Sequence, residues 1–342
     1  MSEDPEGGSN GTDENLVEVK NLKKWFPIQS SMLDGILSRD MDYVRAVDGV
    51  SFEIRRGEVF GLAGESGSGK TTIGRLVIRL EEPTEGGVIF DGVDLASLSS
   101  GEMRKMRRRM QVIFQDPMAS LNPRMTVGEA IIHGLKIHFP ETAKEHRKTA
   151  LDMMERVGLT PPEFFYDKYP HQISGGQRQR VVIARALVTL PDLILADEPI
   201  AMADVSVRAL LLDLMRSLKD ELNLTYLYIT HDLATAKYIC DRIGILYLGK
   251  MVEIGELRDV YVHPLHPYTQ ALMAAVPVPD PRERRTQALP EGEIPNPINP
   301  PSGCRFHPRC PIAREICSVD EPELRELRPD HFAACHFAED FL

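Results

Sequence analysis

The glycine-rich stretch between residues 61 and 72 constrains the fold of this chain more than any other feature. It reads GLAGESGSGKTT and satisfies the pattern G-x-x-x-x-G-K-[ST], in which backbone N–H groups surround a polyphosphate. Glycine is needed because a Cβ atom would block the positive φ values and the close approach of the backbone to phosphate. Residues 59–63 read as a buried strand, and residues 72–80 read as a helix whose N-terminus would face the anion. The stretch therefore predicts a nucleoside triphosphate site on an α/β fold.

The loop residues have expected places around the triphosphate. Lys70 would reach the β- and γ-phosphates, and the hydroxyl of Thr71 would bind Mg²⁺. The residues expected to surround the nucleotide here are Gly64, Glu65, Ser66, Gly67, Ser68, Gly69, Lys70, Thr71 and Thr72.

Composition limits the class of protein. A length of 342 residues predicts about two domains, and 42% hydrophobic with 27% charged residues suits a folded protein with a large core. A net charge of −11 argues against sequence-independent binding of nucleic acid, which rests on clustered lysine and arginine. No run approaches the ~18 apolar residues of a membrane span, and the N-terminus lacks the basic and apolar regions of a secretory signal. We therefore expect the chain to stay in the cytoplasm and to meet a membrane only through a partner.

The N-terminal part contains a tail, two strands and the only tryptophan. Residues 1–16 are acidic and polar and are expected to be a disordered tail. Residues 16–20 open the first strand, and residues 50–54 alternate as a half-buried strand should. Trp25 lies between these strands, ahead of an irregular insert that ends near Tyr43. Trp25 is either an ordinary packed aromatic or a flat face on which a purine ring stacks.

The middle of the chain is expected to be helical. The basic residues between 104 and 109 could form a nucleic-acid patch, but a solvated helix face is favoured because no other basic cluster extends them. Gln115 ends a predicted strand and leads into the turn signal Asp116-Pro117. Residues 126–157 read as two amphipathic helices broken near Pro140, which predicts a helical insert.

A second candidate anion site follows this insert. Ser174 would cap a predicted helix over residues 178–190, and Gly175 and Gly176 would leave the first N–H groups of that helix bare. Helix N-termini of this kind attract phosphate groups, so the segment is a further candidate for nucleotide contact.

Candidate catalytic groups stand at the ends of two predicted strands. Residues 193–196 read as a buried strand ending in Asp197-Glu198, and such carboxylates are costly unless they are paired or bind metal. Asp197 is thus a candidate for holding Mg²⁺, and Glu198 for polarising the attacking water; a structural pair is the alternative. His231 ends the next strand, where ligands bind in open α/β sheets, although a lone histidine is usually structural. An amphipathic helix over residues 207–223 separates these two strands, and a closing hairpin over residues 243–254 follows them.

The order of these motifs resembles that of the nucleotide-binding subunit of ATP-binding cassette (ABC) transporters, over about residues 17–262. The resemblance implies an α/β P-loop cassette with a RecA-like core, an antiparallel β subdomain and a helical subdomain. It implies that Trp25 stacks on adenine, that Gln115 senses Mg²⁺ and the membrane subunit, and that Glu198 is the general base. His231 matches the histidine that contacts the γ-phosphate.

The same resemblance implies a pair of cassettes that close head to tail around two nucleotides. The residues that would serve the ATP bound on the facing subunit are Ser174, Gly175, Gly176 and Gln177, and Asp204 also matches the family's nucleotide site. One part departs from the family: residues 200–204 read Ile-Ala-Met-Ala-Asp where the family usually has Thr-Ser-Ala-Leu-Asp. Two hydroxyls that could bond across the dimer are missing, so we expect a hydrolytic site with altered communication between its two copies.

The last 80 residues narrow the resemblance to one branch of importers. Residues 263–272 closely resemble the segment that follows the cassette in ATPases of oligopeptide and dipeptide importers. Residues 277–301 contain eight prolines and are expected to be an extended linker. We therefore divide the chain into the tail over residues 1–16, a cassette over residues 17–262 and a small cysteine-containing C-terminal extension over residues 263–342.

Four of the five cysteines lie in this extension: Cys304, Cys310, Cys317 and Cys335. Four thiols this close in sequence can form disulfides, bind zinc, ligate an iron–sulfur cluster or remain free. A reducing compartment disfavours disulfides, and the tight Cys-x₂₋₄-Cys pair typical of zinc sites is absent. Some importers of this branch with similar cysteine motifs carry a [4Fe–4S] cluster, and this resemblance favours the cluster.

These features together lead to one expected function. The chain is expected to be the ATPase subunit of a binding-protein-dependent importer of oligopeptides or dipeptides, peripheral on the cytoplasmic face of the membrane, with ATP and Mg²⁺ as cofactor. Expected partners are two transmembrane permease subunits and a second ATPase subunit, identical or homologous, with an extracytoplasmic solute-binding protein acting indirectly and no nucleic acid.

Three alternatives stay open from the sequence. Related importers carry oligosaccharides, nickel or opines, and the ATPase itself never touches the cargo. A soluble ABC ATPase acting on DNA or ribosomes is disfavoured by the single cassette and the acidic balance. The cysteine region could also act as a redox sensor controlling the ATPase.

Overall fold

Two sheets and a group of helices make up the computed structural model, which describes residues 15–28, 42–275 and 295–342. The predicted tail lies outside the described residues up to residue 14, and Asn15 and Leu16 already belong to the first strand. The predicted insert before Tyr43 lies outside them over residues 29–41, as does the proline-rich linker up to residue 294.

An antiparallel sheet of four strands contains the N-terminal part and confirms the predicted β subdomain. The strands are β1 (Asn15–Pro27), β2 (Tyr43–Arg55), β4 (Glu85–Phe90) and β5 (Val93–Asp94). Their spatial order is β2-β1-β4-β5. β1 runs well past the predicted residues 16–20 because its second half also pairs with β2, with Trp25 opposite Arg45.

A second sheet of eight strands forms the core that carries the site. The strands are β3 (Val59–Ala63), β6 (Met110–Ile113), β7 (Leu193–Asp197), β8 (Thr225–Thr230), β9 (Arg242–Tyr247), β10 (Lys250–Glu256), β11 (Arg325–Arg328) and β12 (His331–Ala333). Their order is β11-β12-β10-β9-β3-β8-β7-β6, and the five strands from β9 to β6 are parallel. β9 and β10 form the predicted hairpin, but they do not close the sheet, because β12 pairs with β10 through Glu253 and Ala333.

The helices follow the predicted pattern with small shifts at their ends. The predicted helices over residues 126–157 are present as two helices, with a 3₁₀ turn at Pro140–Thr142 between them. The helices are α1 (Lys70–Val77), α2 (Ser100–Met106), α3 (Pro117–Ser120), α4 (Val127–His138), α5 (His146–Arg156), α6 (Pro162–Tyr166), α7 (Gly175–Leu187), α8 (Val205–Leu222), α9 (Leu233–Ile239), α10 (Leu257–Val262), α11 (Pro267–Ala274) and α12 (Glu315–Val319).

The helical subdomain consists of α4, α5, α6 and the start of α7, packed around buried side chains such as Met153 and Met154. Its packing is tight at Gly128, where a Cβ atom would lie 2.4 Å from the ring of Tyr166. The same hydrophobic cluster includes buried residues of β7 and β8, so the subdomain and the parallel sheet share one core.

The basic stretch near α2 has two different environments. Arg104, Lys105 and Arg108 are exposed, as expected for a solvated helix face. Arg109 is half-buried instead and forms ion pairs with Asp91 and Asp192, which joins the two sheets. Within residues 15–28, 42–275 and 295–342, no helix combines the length and the apolar character needed to cross a membrane.

Candidate functional site

The glycine-rich loop connects the buried strand β3 to α1, and backbone geometry explains its glycines. Gly69 has a φ of 105°, and a Cβ atom there would lie 2.2 Å from the carbonyl oxygen of Ala46. Gly64 has a φ of 150°, and its Cβ atom would lie 2.2 Å from the carbonyl oxygen of Leu246. Side chains at these positions would collide with backbone atoms, so only glycine allows this loop shape. The bare N-terminus of α1 points its N–H groups into the loop, as a phosphate site requires.

Lys70 is held inside the loop. Its side chain is only 6% exposed, and Nζ donates hydrogen bonds to the carbonyl oxygens of Gly64 at 2.7 Å and Glu65 at 2.8 Å. Burial lowers the pKa of Lys70, while the nearby carboxylates of Glu198 and Asp197 oppose that shift. A phosphate oxygen could replace either carbonyl as the partner of the ammonium group, because both lie on the inner side of the loop.

Asp197 and Thr71 form the candidate magnesium position. Asp197 ends β7, and its Oδ1 accepts a hydrogen bond from the Thr71 hydroxyl at 3.2 Å. Burial raises the pKa of Asp197, and the hydrogen bond from Thr71 counteracts this in part. A divalent cation would offset the cost of a charged carboxylate here, and carboxylate and hydroxyl oxygens are ligands that Mg²⁺ accepts. The residues present therefore fit this ion.

Glu198 lies between two polar side chains from neighbouring strand ends. Its Oε1 lies 2.8 Å from Nδ1 of His231, and its Oε2 accepts a hydrogen bond from Nε2 of Gln115 at 2.8 Å. The backbone of Glu198 has a φ of 48°, a left-handed conformation that is uncommon for residues other than glycine. Such local strain is concentrated at functional sites. Glu198 lines the same cleft as the phosphate loop.

One open cleft of about 510 Å³ brings these groups together. In it the phosphate loop, Gln115, Glu198 and His231 face a common space, because the ends of adjacent parallel strands lie at one edge of the sheet. The residues lining it are Ala46, Ser66, Gly67, Gly69, Lys70, Thr71, Thr72, Gln115, Glu198 and His231.

Trp25 stands near this cleft but does not line it. The ring is half-buried in β1, and its Nε1 donates a hydrogen bond to Oδ1 of Asp48 at 3.1 Å. The guanidinium of Arg45 lies 5.1 Å from the ring centroid, and Ala46, the next residue, lines the cleft. Trp25 is therefore placed beside one end of the cleft and oriented by a hydrogen bond.

The second predicted anion segment lies away from this cleft. Ser174 caps α7 in a reciprocal pair with Gln177, whose backbone N–H donates to the serine hydroxyl at 3.3 Å. Ser174 and Gly175 are exposed, Gly176 and Gln177 are half-buried, and Asp204 is exposed at the start of α8. None of these residues lines the cleft of its own chain.

The four cysteines of the extension line one narrow cavity with Phe306 and Phe337. All four are free thiols, which excludes the disulfide alternative for this structure. Burial raises the pKa of Cys304 to about 12 and that of Cys335 to about 11, so both favour the protonated thiol. Over the described ranges, no set of three or more His, Cys, Asp or Glu side chains is arranged to hold a metal ion. The cysteines thus share a cavity without forming a single-ion site.

Several residues that contact the loop or Trp25 were not predicted from the sequence. The backbone N–H of Glu65 donates to the hydroxyl of Tyr268 at 2.9 Å, and the Glu65 carboxylate is bound by Arg309. Asp48 holds Trp25. Tyr268 belongs to the importer-like segment, and Arg309 precedes Cys310, but these sequence signals do not indicate contact with the nucleotide loop.

Comparison with known proteins gives two matching family models. One is described as ABC transporter and matches residues 47–201, and the other is described as oligopeptide/dipeptide transporter, C-terminal region, and matches residues 252–317. The second match covers part of the cysteine-containing extension.

Relatives match almost the whole chain. A Bacillus subtilis protein named oligopeptide transport ATP-binding protein AppF is 48% identical over 326 residues, covering 94% of this chain and 97% of the relative. A Brucella ovis protein named for ATP binding in peptide import is 51% identical over 324 residues, covering 95% of this chain and 98% of the relative.

Solved structures of similar fold cover the larger part of the chain. A dimeric ATP-binding cassette, MJ0796, in a post-hydrolysis state with ADP and Pi, has a TM-score of 0.61 at 32% identity, covering 71% of this chain and 99% of that chain. CbiO1 of Clostridium perfringens, part of the transporter complex CbiONQ, has a TM-score of 0.61 at 26% identity, covering 73% and 91%.

Proposed function

The chain belongs to the ABC transporter family and carries its ATPase cassette, and from this premise we propose that it hydrolyses ATP to energise an importer of oligopeptides or dipeptides. The observation that carries the proposal is the cleft in which Glu198, between Gln115 and His231, faces the loop that holds Lys70. The match of residues 252–317 to the C-terminal region of oligopeptide and dipeptide transporters supports the cargo class.

The side chains in the cleft have distinct proposed roles. Lys70 neutralises charge on the β- and γ-phosphates, and Thr71 and Asp197 hold Mg²⁺, which supplies further charge neutralisation when bound. Glu198 orients the attacking water and accepts its proton. His231 keeps the Glu198 carboxylate in place and contacts the γ-phosphate. Gln115 transmits the conformation of the site to a membrane partner.

We further propose that two cassettes complete each site. The exposure of Ser174 and Gly175, outside the cleft of their own chain, supports a role on the nucleotide of a facing subunit. The similar MJ0796 cassette is dimeric in its complex with ADP and Pi. In the atypical segment before Asp204, the Arg208 side chain donates hydrogen bonds to the carbonyl oxygens of Ala201 and Ala203, which holds the backbone of this segment within its own chain.

The remaining partners follow from the importer role. Two transmembrane permease subunits would form the pathway, and an extracytoplasmic binding protein would deliver cargo to them. The chain would then be peripheral on the cytoplasmic face of the membrane. We also infer the division into an N-terminal tail, a cassette and an extension over residues 263–342, with the first boundary two residues earlier than predicted, since β1 begins at Asn15, and the extension adding β11 and β12 to the edge of the cassette sheet.

Reconstitution tests this function directly. Vesicles containing the chain with its co-purified permease subunits and binding protein should accumulate a labelled tripeptide only when Mg-ATP is supplied on the side of the ATPase. A labelled oligosaccharide of similar size should be excluded. Uptake of the oligosaccharide alone would change the cargo class, and purification with nucleic acid or ribosomes in place of membrane subunits would contradict the importer role.

For the four cysteines we propose a [4Fe–4S] cluster held by Cys304, Cys310, Cys317 and Cys335. The support is that all four thiols line one cavity and that thiolates are the ligands of such clusters. In a [4Fe–4S] cluster each cysteine binds a different iron. The four thiols therefore need not converge on one point, as the ligands of a single metal ion must. Bound iron would also favour the thiolate form, against the effect of burial on the pKa of Cys304 and Cys335.

Anaerobic purification tests the cluster. The protein is expected to be brown and to contain roughly four iron and four sulfide per chain. The Cys310→Ser variant should lose most of the iron, whereas Cys240→Ser, which changes a buried cysteine outside this cavity, should keep it. A colourless, iron-free and folded wild-type protein would remove the cluster and leave free thiols.

A further inference from the structure

Two buried arginines of the C-terminal extension contact Glu65 of the phosphate loop and Asp48, the hydrogen-bond partner of Trp25. Arg305 follows Cys304 and Arg309 precedes Cys310, and their side chains are 7% and 6% exposed. Buried guanidinium groups are retained where they have specific partners, because an unpaired buried charge is strongly unfavourable. Their partners lie in the cassette.

Arg309 binds the phosphate loop through Glu65. Its Nη1 and Nη2 donate to Oε2 and Oε1 of Glu65 at 3.0 and 3.2 Å, the bidentate geometry of a strong arginine–carboxylate pair. The backbone N–H of Glu65 is held by Tyr268, and its carbonyl oxygen accepts from Lys70. Three contacts therefore fix the loop residue at which the path of the backbone around the phosphates begins.

Arg305 acts at the other end of the site. It forms an ion pair with Oδ2 of Asp48 and donates to the carbonyl oxygen of Leu248. The second oxygen of Asp48, Oδ1, accepts the hydrogen bond from Trp25. Burial, the largest single influence, would raise the pKa of Asp48, but the charges of Arg305 and Lys250 and the hydrogen bonds from Arg305 and Trp25 together hold that pKa below its ordinary value. The carboxylate that orients the tryptophan is thus kept ionised.

Phe306, between the two arginines, anchors this part of the extension. It is 1% exposed, and its ring centroid lies 5.3 Å from that of Tyr247 in β9 and 5.4 Å from that of Tyr268 in α11. Aromatic clusters of this size contribute to stability beyond their buried area. The arginines therefore extend from an anchored segment.

We propose that Arg309 and Arg305 are positioning residues for ATP: Arg309 fixes the phosphate loop through Glu65, and Arg305 fixes Trp25 through Asp48. This inference rests on the proposed ATP site, and its Arg305 part also rests on the expected stacking of Trp25 on the adenine base. Groups that are already ordered in the free protein bind a ligand more tightly, because the free energy needed to order them does not reduce the free energy of binding. The two arginines should consequently act on different parts of the nucleotide, Arg309 on the phosphates and Arg305 on the base.

Binding of two probes separates these roles from a general effect on folding. Dissociation constants are measured for Mg-ATP and for inorganic tripolyphosphate with Mg²⁺, which shares the phosphates and lacks the base. Arg309→Ala should raise the dissociation constants of both probes by roughly 10- to 100-fold, which corresponds to the loss of hydrogen bonds to a charged group. Arg305→Ala should raise the dissociation constant of ATP by up to about tenfold, which corresponds to the loss of an aromatic contact. The dissociation constant of tripolyphosphate should stay within about twofold of the wild-type value.

Three further variants control for lost stability. Arg314→Ala removes an exposed arginine of the same extension, paired with Asp340, and should bind both probes like the wild type. Because Arg309→Ala leaves the carboxylate of Glu65 without its partner, the Glu65→Gln/Arg309→Ala double variant should lose no more affinity than Arg309→Ala alone. Melting temperatures are recorded for all variants, and Arg309→Lys, which keeps the charge without the fork, should recover part of the affinity.

The outcomes separate this inference from the proposed function. A folded Arg309→Ala protein that binds both probes within twofold of the wild type would overturn the role of Arg309. Equal weakening of ATP and tripolyphosphate by Arg305→Ala would overturn its role at the base. A wild-type protein that binds neither probe would overturn the proposed ATP site itself.

Discussion

Glu198→Gln is expected to lower ATP hydrolysis by about 10² to 10⁴-fold while leaving ATP bound, the usual worth of a general base. The substitution keeps the size of the side chain and a carbonyl oxygen that can still accept the hydrogen bond from Gln115. It removes the negative charge that would take the proton from water. Phosphate release measures the loss, and equilibrium binding of labelled ATP measures what is retained. Because hydrolysis would reset the closed pair, the variant should also form an ATP-dependent dimer on size-exclusion chromatography.

The matched control for this variant is Glu155→Gln. Glu155 is an exposed carboxylate near the end of α5, outside the cleft, so the control makes the same change of charge and volume without touching the site. It should hydrolyse ATP like the wild type. Near-normal turnover of Glu198→Gln would assign the role of the base to another group.

Features that depend on neighbouring residues were predictable from the sequence. The phosphate loop, the capped start of α7 and the hairpin of β9 and β10 each rest on turn residues, capping groups or alternation within a few positions. The gathering of Gln115, Glu198 and His231 was also predictable, because the ends of parallel strands meet at one edge of a sheet.

Apart from the meeting of the parallel strand ends, contacts between distant parts of the chain were not predictable. The partners Glu65 and Arg309 lie 244 positions apart, and no local pattern at either residue indicates the other. The full length of β1 depends on its pairing with β2, and the edge position of β12 depends on β10, so periodicity within each segment does not reveal them. Arg109 looked like part of a solvated face because its two aspartate partners come from other segments.

Lys70→Ala is expected to lose ATP binding and hydrolysis together, with turnover reduced by about 10² to 10³-fold even at saturating ATP. The ammonium group is the cation of this loop nearest to the expected phosphates, and the enclosed loop screens it little from an anion. Removing it also frees the carbonyl oxygens of Gly64 and Glu65, which would then face the phosphates with no donor between them. The loss should therefore appear in the dissociation constant as well as in the rate.

A comparison of the two single variants, Lys70→Ala and Glu198→Gln, discriminates between the two proposed roles. The Lys70→Ala variant should not form the ATP-dependent dimer that the Glu198→Gln variant accumulates. Lys70 acts when the nucleotide binds, whereas Glu198, as the base, acts only after the nucleotide is bound. Lys219→Ala is the matched control, since Lys219 pairs with Asp241 outside the cleft. If Lys70→Ala bound ATP as tightly as the wild type and still supported tripeptide uptake in vesicles, the loop would not be the site that powers transport. Tight binding without uptake would instead limit Lys70 to a role in the chemical step, where charge on the γ-phosphate increases as the bond to it breaks.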